Sequence, residues 1–451
     1  MLSRRAFLGS ALSITALPAL ATPRRSLTAG PSRHQIAPAD YPDTALWTFN
    51  GTFPGEALRF AQGERLDIRV KNDLPQATSV HWHGLRLPNA MDGVPGLTQP
   101  PIETGQSFDY AFDLKDAGTY WYHSHAQSVE QVERGLYGPL IIDEPERPDV
   151  NHDLTLVLDD IRLVQDASIS EDFDNRHDGS HAGRMGNLIL TNGMMDARFD
   201  VKRGERLRLR LINAANARVF QLGLQGLEGW VVALDGMPLQ TPERPGETFA
   251  LAPAQRMDLI VDVVAEDEAF LVQYDRSGGY AQATFHISGR SEATRPAPDA
   301  LPPNEVHALE IDAARSVPLR MEGGAMRGLQ SAVYQGEDMG MRDLASRGMF
   351  WAFNGAVGRQ EAPLIEAALG ETVRVPMIND TAFPHAMHLH GHHFQEVTEA
   401  GMGPLRDTLL VNPGETREVA FNAHNPGDWL FHCHMLSHHA AGMGTWIRVR
   451  A

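Results

Sequence analysis

The chain has 451 residues, a formal net charge of −18, 29 Pro and 41 Gly. This length exceeds what one ordinary hydrophobic core accommodates, and it predicts two to three domains. The acidic balance argues against a nucleic-acid partner, because phosphate groups would be repelled, whereas metal cations would be attracted. The many Pro and Gly residues favour β-sandwich domains with many turns.

Residues 1–21 have the pattern of a twin-arginine signal peptide. Arg4-Arg5 precedes the apolar run 11–17, and Ala19-Leu20-Ala21 is typical of a cleavage site. The apolar run is too short for a membrane anchor and ends before Pro18. We therefore expect export through the twin-arginine machinery to the bacterial periplasm, without stable membrane association.

One unit is repeated three times along the rest of the chain. Each copy begins with Asn-Gly, passes through a Gly-Glu turn and enters a strand whose side chains alternate between two faces. The copies start at Asn50, Asn192 and Asn354, at intervals that match a sandwich domain with its connections. The predicted domains are residues 22–146, 147–295 and 350–451.

The segment 296–349 is predicted to link the second and third domains, because it opens with several prolines. It continues with scattered methionines: Met321, Met326, Met339, Met341 and Met349. These side chains either pack within an irregular segment or form a patch of soft thioether ligands for a metal ion. Both interpretations stay open at this point.

Four His-x-His pairs occur, two in the first domain and two in the third. In a strand, residues i and i+2 point to the same face, so each pair presents two imidazoles side by side. The pairs are His81/His83, His123/His125, His388/His390 and His432/His434. The middle unit has no histidine at these positions and is predicted to be a spacer. Its His177 and His181 lie in an Asp/Gly/Ser-rich loop and are expected to be exposed, without a role in the site.

Eight imidazoles exceed the needs of one zinc ion, which usually takes four ligands. Neutral imidazoles also suit copper better than magnesium or calcium, which prefer oxygen. If the first and third domains dock face to face, the pairs converge on one interface. The pattern therefore predicts a site for more than one copper ion.

Cys433 is the single cysteine, which excludes an intrachain disulfide. It lies between His432 and His434 and should point to the opposite face of their strand. Two imidazoles, a thiolate and a thioether form the ligand set of a blue-copper electron-transfer centre. The partners that would complete this set with Cys433 are His385, His438 and Met443. An electron arriving at Cys433 can then pass along the backbone to the adjacent histidines.

Four motifs in order resemble those of the multicopper oxidases, and the likeness covers nearly the whole mature chain. They are His-Trp-His-Gly from His81, Trp-Tyr-His-Ser-His from Trp121, His-x-x-His-x-His-Gly from His385, and the His-Cys-His segment from His432 that ends at Met443. The closest likeness is to bacterial three-domain laccases and to periplasmic cuprous oxidases of the copper-efflux type. It implies an all-β fold of three cupredoxin-like Greek-key β-sandwich domains.

The resemblance also implies four copper ions per chain and a role for each motif residue. The implied type 1 ligands are His385, Cys433 and His438, with Met443 axial. The implied type 2 ligands are His81 and His388. The implied type 3 ligands are His83, His123, His125, His390, His432 and His434. In such an enzyme Cys433 receives the electrons, and His432 and His434 pass them to the cluster.

Asp92, eleven residues after His81, stands where the family carries an acid that feeds protons to the cluster. The alternative is a simple turn aspartate before Gly93. Bacterial relatives often carry a second acid directly after the last type 1 histidine, but this chain has His439 there. Whether His439 relays protons, or another group does so, stays open.

The resemblance implies a laccase-like oxidase that takes electrons one at a time from phenols or similar small molecules and reduces dioxygen to water. An alternative within the same enzyme class oxidises Cu(I) to Cu(II) in copper tolerance, which the scattered methionines favour. A more distant alternative is a non-catalytic periplasmic structural protein of the same fold, although here every ligand position is filled. We expect the protein to be a monomer.

Overall fold

The computed structural model describes residues 24–291 and 295–451. The predicted export signal, residues 1–21, lies outside this part of the chain. Among the described residues, no helix has the length and apolar character required to cross a bilayer. The strands form three successive β-sandwiches, which confirms the predicted all-β, cupredoxin-like class.

The first sandwich has two four-stranded sheets, with strand orders β2-β1-β4-β6 and β3-β8-β7-β5. In β4 the side chains of Leu66, Ile68 and Val70 are fully buried, while alternate residues face solvent, so burial of one face holds the sheet in register. Its elements are β1 Arg25–His34, β2 Thr44–Phe49, β3 Leu58–Ala61, β4 Arg65–Asn72, β5 His81–His83, β6 Ser107–Asp113, β7 Gly118–His123, α1 Ser128–Glu133 and β8 Tyr137–Asp143, with a 3-10 turn at Asn89–Met91.

The second sandwich packs a six-stranded sheet, β10-β9-β12-β17-β14-β15, on a five-stranded sheet, β11-β19-β18-β13-β16. Its elements are β9 His152–Ile161, α2 Arg176–Ser180, β10 Leu188–Thr191, β11 Arg198–Arg203, β12 Arg206–Asn213, β13 Phe220–Gln225, β14 Leu227–Leu234, β15 Met237–Glu243, β16 Phe249–Leu251, β17 Arg256–Val263, β18 Glu268–Asp275 and β19 Gly278–Arg290.

Strand β12 is buried on both faces, one apolar and one charged. Leu207, Leu209 and Leu211 enter the core of the second sandwich. On the other face, Arg208 pairs with Glu144 at 2.7 Å, and Arg210 donates to the hydroxyl of Thr119 at 3.0 Å. Because Glu144 and Thr119 precede the second sandwich in the chain, buried ion pairs and hydrogen bonds dock it on the first one.

The third sandwich has a long sheet, β23-β22-β25-β24-β21-β27-β32-β29-β30 with β20 beside β27, and a five-stranded sheet, β26-β34-β33-β28-β31. Its strands are β20 Arg315–Ser316, β21 Leu319–Gly323, β22 Ser331–Tyr334, β23 Glu337–Gly340, β24 Trp351–Phe353, β25 Ala356–Val357, β26 Ile365–Ala368, β27 Thr372–Asn379, β28 His385–Leu389, β29 Phe394–Thr398, β30 Gly401–Arg406, β31 Thr408–Val411, β32 Thr416–Asn422, β33 Gly427–Cys433 and β34 Gly444–Arg450. Its helical elements are a 3-10 turn at Ile311–Ala313, α3 Met341–Ser346 and α4 Leu436–Ala440.

The segment 296–349, expected to be a linker, contributes strands β20 to β23 and helix α3 to the third sandwich. Strand β21 pairs with β24 and β27, and its Met321 is fully buried in the core. Met326 and Met341, in contrast, are 74% and 48% exposed. The proline cluster pointed to a loop, but the strands that follow it are too short for their pairing to be recognised from local sequence.

The first and third sandwiches share one hydrophobic cluster, which contains Trp82 and Tyr122 together with Trp429 and Phe431. Polar contacts close the same interface. The side chain of Asn89 donates to the carbonyl of Asp428 at 2.6 Å, and the side chain of Asn425 donates to the carbonyl of Leu87 at 2.9 Å. This shared interface carries the histidine pairs.

Candidate metal centre

Antiparallel pairing brings the histidine motifs together within each outer domain. In the first domain, β5 pairs with β7 so that His81 lies opposite His123. In the third domain, β28 pairs with β33 so that His388 lies opposite His432. Side chains two residues apart share one face of a strand, and the strand register places one pair opposite another. Each outer domain therefore contains a cluster of four imidazoles.

Docking of the outer domains merges these clusters into one. The rings of His83 and His388 stack with centroids 3.8 Å apart, and those of His81 and His390 with centroids 3.9 Å apart. Three groups with ligand atoms within 4.8 Å of one another overlap: His81 with His388 and His390, His81 with His83 and His123, and His125 with His390 and His432. The eighth histidine, His434, has its Nε2 3.4 Å from Nε2 of His123. All eight side chains predicted for the type 2 and type 3 sites meet here.

Backbone oxygens hold several of these imidazoles by Nδ1. That nitrogen of His81 donates to the carbonyl of Asp92 at 2.7 Å, and that of His388 to the carbonyl of Asp407 at 2.9 Å. His123 makes the same contact with Ser124 at 2.9 Å. A donor at Nδ1 leaves the lone pair on Nε2, so these residues have the tautomer that binds a metal through Nε2.

The cluster is buried, and none of its eight histidines is more than 8% exposed. Burial is the main cause that lowers the pKa of seven of them, namely His83, His123, His125, His388, His390, His432 and His434. Removal from water penalises the charged imidazolium. These residues are therefore held as neutral imidazoles, the form that binds metal ions.

Asp92 lies inside the cluster. Its carboxylate Oδ2 accepts from Nδ1 of His390 at 2.9 Å, while its carbonyl accepts from His81. It is fully buried, and Gly93 follows it with φ +84. A Cβ at that glycine would collide with the carbonyl of Val80, so glycine is required for this close approach. Asp92 thus touches imidazoles from both outer domains, with its carbonyl on His81 and its carboxylate on His390.

Cys433 belongs to a second, separate set on the opposite face of β33. Its Sγ lies 3.7 Å from Nδ1 of His385 and 3.7 Å from Nδ1 of His438, and these two nitrogens are 3.1 Å apart. All three residues are fully buried. Met443 is also fully buried in the same core cluster, and its carbonyl accepts from the backbone N–H of Cys433 at 3.1 Å.

The two imidazoles beside Cys433 have the opposite tautomer. Nε2 of His438 donates to the carbonyl of His181 at 2.7 Å. Nε2 of His385 donates to Oγ1 of Thr381 at 2.8 Å, because the hydroxyl proton of that threonine is directed to Asn379. Each ring is thus anchored by Nε2 and presents Nδ1 to the sulfur. The imidazoles beside Cys433 therefore have Nδ1 free, whereas the anchored imidazoles of the eight-histidine cluster have Nε2 free.

The donor atoms fit copper. Nε2 of His81, Nε2 of His388 and Nδ1 of His83 are buried and have no hydrogen-bond partner within residues 24–291 and 295–451. Burial raises the pKa of the Cys433 thiol to about 12, so a bound cation is required to stabilise the thiolate. Neutral imidazoles with a thiolate form a soft to borderline donor set that suits copper.

Asp407 was not found by sequence reasoning, although it touches the cluster. Its Oδ1 lies 3.4 Å from Nε2 of His83, and its carboxylate is held by the guanidinium of Arg256 at 2.6 Å. Burial opposes its ionisation, but Arg256 and the hydrogen bond with His388 hold its pKa well below the usual range. Arg256 belongs to the middle domain, and no motif spacing connects it to the histidines.

Three more histidines lie close to the site. His392 and His393 are buried, and burial lowers their pKa values to about 3 and about 4. Burial also lowers the pKa of His439 to about 4, and its ring packs on that of His432 with centroids 4.3 Å apart. His439 therefore contacts the cluster itself as a neutral imidazole.

Comparison with known proteins identifies the family. Family models described as multicopper oxidase match residues 32–147, 152–290 and 334–451, one in each sandwich. The chain belongs to the multicopper oxidase family. This multicopper oxidase is 41% identical to Lac15 from a marine microbial metagenome, with a TM-score of 0.77 over 94% of this chain and 100% of that one.

The curated relatives include copper resistance proteins and laccases. Copper resistance protein A of Escherichia coli is 27% identical over 89% of this chain and 89% of its own length. Laccase-2 of Botryotinia fuckeliana is 27% identical over 90% of this chain and 79% of its own length. The likeness confirms the family expected from the four motifs. This multicopper oxidase is accordingly a copper-binding oxidoreductase that uses oxygen.

Proposed function

We propose that this multicopper oxidase is laccase-like and couples the one-electron oxidation of phenolic or similar small reductants to the four-electron reduction of dioxygen to water. The observation that carries the proposal is the pair of imidazole sites on the two faces of β33, joined by Cys433. One site presents a sulfur with two Nδ1 atoms, and the other a cluster whose anchored imidazoles leave Nε2 free.

We assign the residues to the ligand sets that the resemblance implies. His385, Cys433, His438 and Met443 would hold the type 1 copper. His81 and His388 would hold the type 2 copper, and the other six cluster histidines the type 3 pair, which makes four ions per chain. When bound, copper supplies reversible one-electron redox chemistry at the sulfur-ligated site and at the cluster where dioxygen is reduced.

Cys433 connects the two sites through the backbone, since His432 and His434 are its neighbours in the chain. Nδ1 of His432 also donates to the carbonyl of Cys433 at 3.0 Å. An electron accepted at the sulfur thus has a short covalent and hydrogen-bonded path to the cluster. Asp92, which accepts from Nδ1 of His390, is positioned to hold or deliver a proton at the same place.

A cleft beside α4 offers a docking place for the reductant. It has a volume of about 430 Å³ and is lined by Phe173, Met349 and Phe350 together with Ser437 and Ala440. Ser437 directly precedes His438, so a ring bound in the cleft would lie near the type 1 site. Its aromatic and thioether side chains suit a small aromatic molecule, and Asp174, Arg176 and Arg347 in the same lining offer polar contacts.

Oxidation of Cu(I) to Cu(II) is the second candidate function. The thioethers of Met326 and Met341 favour it, because they are open to solvent and thioethers prefer Cu(I). The likeness to copper resistance protein A supports the same reading. One enzyme can oxidise both kinds of donor.

The decisive experiment is an absorbance spectrum of copper-loaded protein, followed by oxygen uptake with a phenol and with Cu(I) in parallel. We expect an intense blue band and uptake with the phenol. A colourless, fully copper-loaded protein would contradict the proposed type 1 site. Oxygen uptake with Cu(I) but not with the phenol would contradict the laccase-like function and support the second candidate.

We also propose that the mature protein is a periplasmic monomer. The motif in residues 1–21 supports export, and a folded metalloprotein suits the twin-arginine route. Cell fractionation with N-terminal sequencing tests the export, and the mature chain should begin near Thr22. Size-exclusion chromatography with light scattering tests the monomer.

A further inference from the structure

The cleft beside α4 has a buried inner end, formed by Gly179, Phe350, Ser437 and Ala441. A Cβ placed on Gly179 would lie 3.4 Å from the ring of Phe350 and 3.8 Å from Cβ of Ala441, so three segments of the chain meet there. Ser437 and Ala441 are each only 5% exposed. The inner end is therefore the part of the cleft that can enclose an aromatic ring.

This inner end is joined to a proposed type 1 ligand. The indole N–H of Trp351 donates to the carbonyl of Gly179 at 2.5 Å, and its ring packs on that of His438 with centroids 4.5 Å apart. His438 itself is fully buried, so an electron from a bound donor must pass through neighbouring residues of the cleft. The oxidised group of the donor therefore belongs at the inner end.

Two arginines lie at the outer rim of the cleft, which is formed by Arg176, Ser346 and Arg347. Arg176 is the first residue of α2, one helical turn before Gly179, and its guanidinium donates to the carbonyl of Ser346 at 3.2 Å. Arg347 follows Ser346 directly. Both arginines line the cleft and are exposed to solvent. A molecule that fills the cleft from its inner end thus meets guanidinium groups at the rim.

These two arginines differ from their neighbours in having no carboxylate partner. Within residues 24–291 and 295–451, neither Arg176 nor Arg347 forms an ion pair, and the guanidinium of Arg347 lies 6.0 Å from the ring centroid of Tyr334. Arg184, in contrast, pairs with Asp172 at 2.8 Å. The N–H groups of the rim arginines therefore remain available to a ligand, and a guanidinium matches the geometry of a carboxylate.

The charge of the lining has the opposite sign to that of the whole chain. The cleft carries the two arginines against one acid, Asp174, whereas the formal net charge of the chain is −18. At physiological ionic strength, charges further away than about 8 Å are largely screened, so the local arginines dominate at the rim. The cleft thus favours an anion in a protein that otherwise repels one.

We propose that Arg176 and Arg347 determine specificity for aromatic donors that carry a carboxylate, namely phenolic acids. The phenol ring occupies the inner end, and the carboxylate pairs with the rim arginines. Each donor gives one electron towards His438, loses its phenolic proton and leaves as a phenoxyl radical, with its carboxylate still ionised. Four such electrons and four protons convert one dioxygen into two waters. The proposal rests on the laccase-like function for its electron acceptor.

The test compares ferulate, a phenolic acid, with its uncharged methyl ester on the copper-loaded enzyme. Oxygen uptake gives kcat and KM for both donors, and cinnamate, which has no phenol to oxidise, is tested as an inhibitor of ester oxidation. The variants are Arg347→Gln, Arg176→Gln and, as a matched control, Arg276→Gln. Arg276 is exposed in the turn between β18 and β19 and does not line the cleft.

We expect each rim variant to raise the KM for ferulate and the inhibition constant of cinnamate by about fivefold, which is about 1 kcal/mol, the upper range for an exposed ion pair. The kcat should stay within about twofold, because the carboxylate contact is the same before and during electron transfer. Both constants for the methyl ester, the blue band and every value for Arg276→Gln should also stay within about twofold.

The proposal is overturned if the KM for ferulate in either rim variant stays within about twofold of that in Arg276→Gln. It is also overturned if the KM values for ferulate and its ester rise by the same factor, because the change would then be one of shape rather than charge. A wild-type enzyme that oxidises neither donor would instead contradict the laccase-like function. The two failures are therefore distinguishable.

Discussion

At the scale of single residues, the electron chemistry depends on the sulfur of Cys433. Cys433→Ser should abolish the blue band and stop oxygen uptake with every reductant, because a hydroxyl cannot replace the thiolate donor. The buried hydroxyl costs about 1–3 kcal/mol, so the fold should persist. Absorbance, oxygen uptake and circular dichroism test this expectation. Unchanged colour together with unchanged activity would remove Cys433 from the type 1 site.

Asp92 is the residue at which proton supply is best tested. Asp92→Asn keeps the shape of the side chain but removes the charge that accepts from His390. We expect reoxidation by dioxygen to slow by about 10²-fold, while reduction of the type 1 site changes little. Anaerobic bleaching and aerobic return of the blue band separate the two steps. Equal slowing of both would exclude Asp92 from the proton path.

A matched control accompanies the Asp92 variant. Asp113, in the same domain, is paired with Arg65 at the surface, and its side chain is 66% exposed. Asp113→Asn removes the same charge at a position remote from the imidazoles in the structure. Both redox steps should proceed at the wild-type rate. A slowing equal to that of Asp92→Asn would show that the effect reflects net charge rather than position.

At the scale of elements, strand β17 gives the middle domain a part in the site. Its Arg256 is fully buried and holds the carboxylate of Asp407, which in turn contacts His83 and His388. Gly84 has φ +89, and a Cβ there would meet both Arg256 and Asp407. Strand β17 therefore supports the histidine cluster through the contact of Arg256 with Asp407. The expected spacer domain contributes a charge that anchors the site.

Arg256→Met tests this role. Loss of one partner leaves Asp407 as an uncompensated buried charge, which costs about 3–5 kcal/mol. We expect that drop in the free energy of unfolding together with a lower copper content. Arg198→Met is the control, since the exposed pair of Arg198 with Asp196 contributes about 0–1 kcal/mol. Equal stability and copper content in both variants would contradict a supporting role for β17.

At the scale of the whole molecule, copper should hold the first and third domains together, because both supply its ligands. Binding to the folded state alone stabilises it by mass action. The copper-loaded protein should therefore melt at a higher temperature than protein treated with a chelator, and reloading should restore the difference. Calorimetry with metal analysis tests this expectation. Identical melting temperatures, or one ion per chain, would contradict a shared cluster.

The sequence by itself determined the features that depend on local period and on repetition. Side chains at i and i+2 of a strand share a face, so the His-x-His pairs and the position of Cys433 between two histidines could be interpreted without coordinates. Three similar units predicted three sandwiches, and the comparisons confirmed the fold class and the family. The export signal stays a prediction, because it lies outside the described residues.

Only the tertiary structure decided what depends on docking between distant parts of the chain. Asp407 meets Arg256 of another domain, the carbonyl of His181 meets His438, and the 296–349 segment joins a sheet rather than merely linking domains. For His390 and His438, the free imidazole nitrogen depends on which distant oxygen the ring meets. The first two contacts join residues 151 and 257 positions apart, and no local pattern encodes which surfaces will face each other.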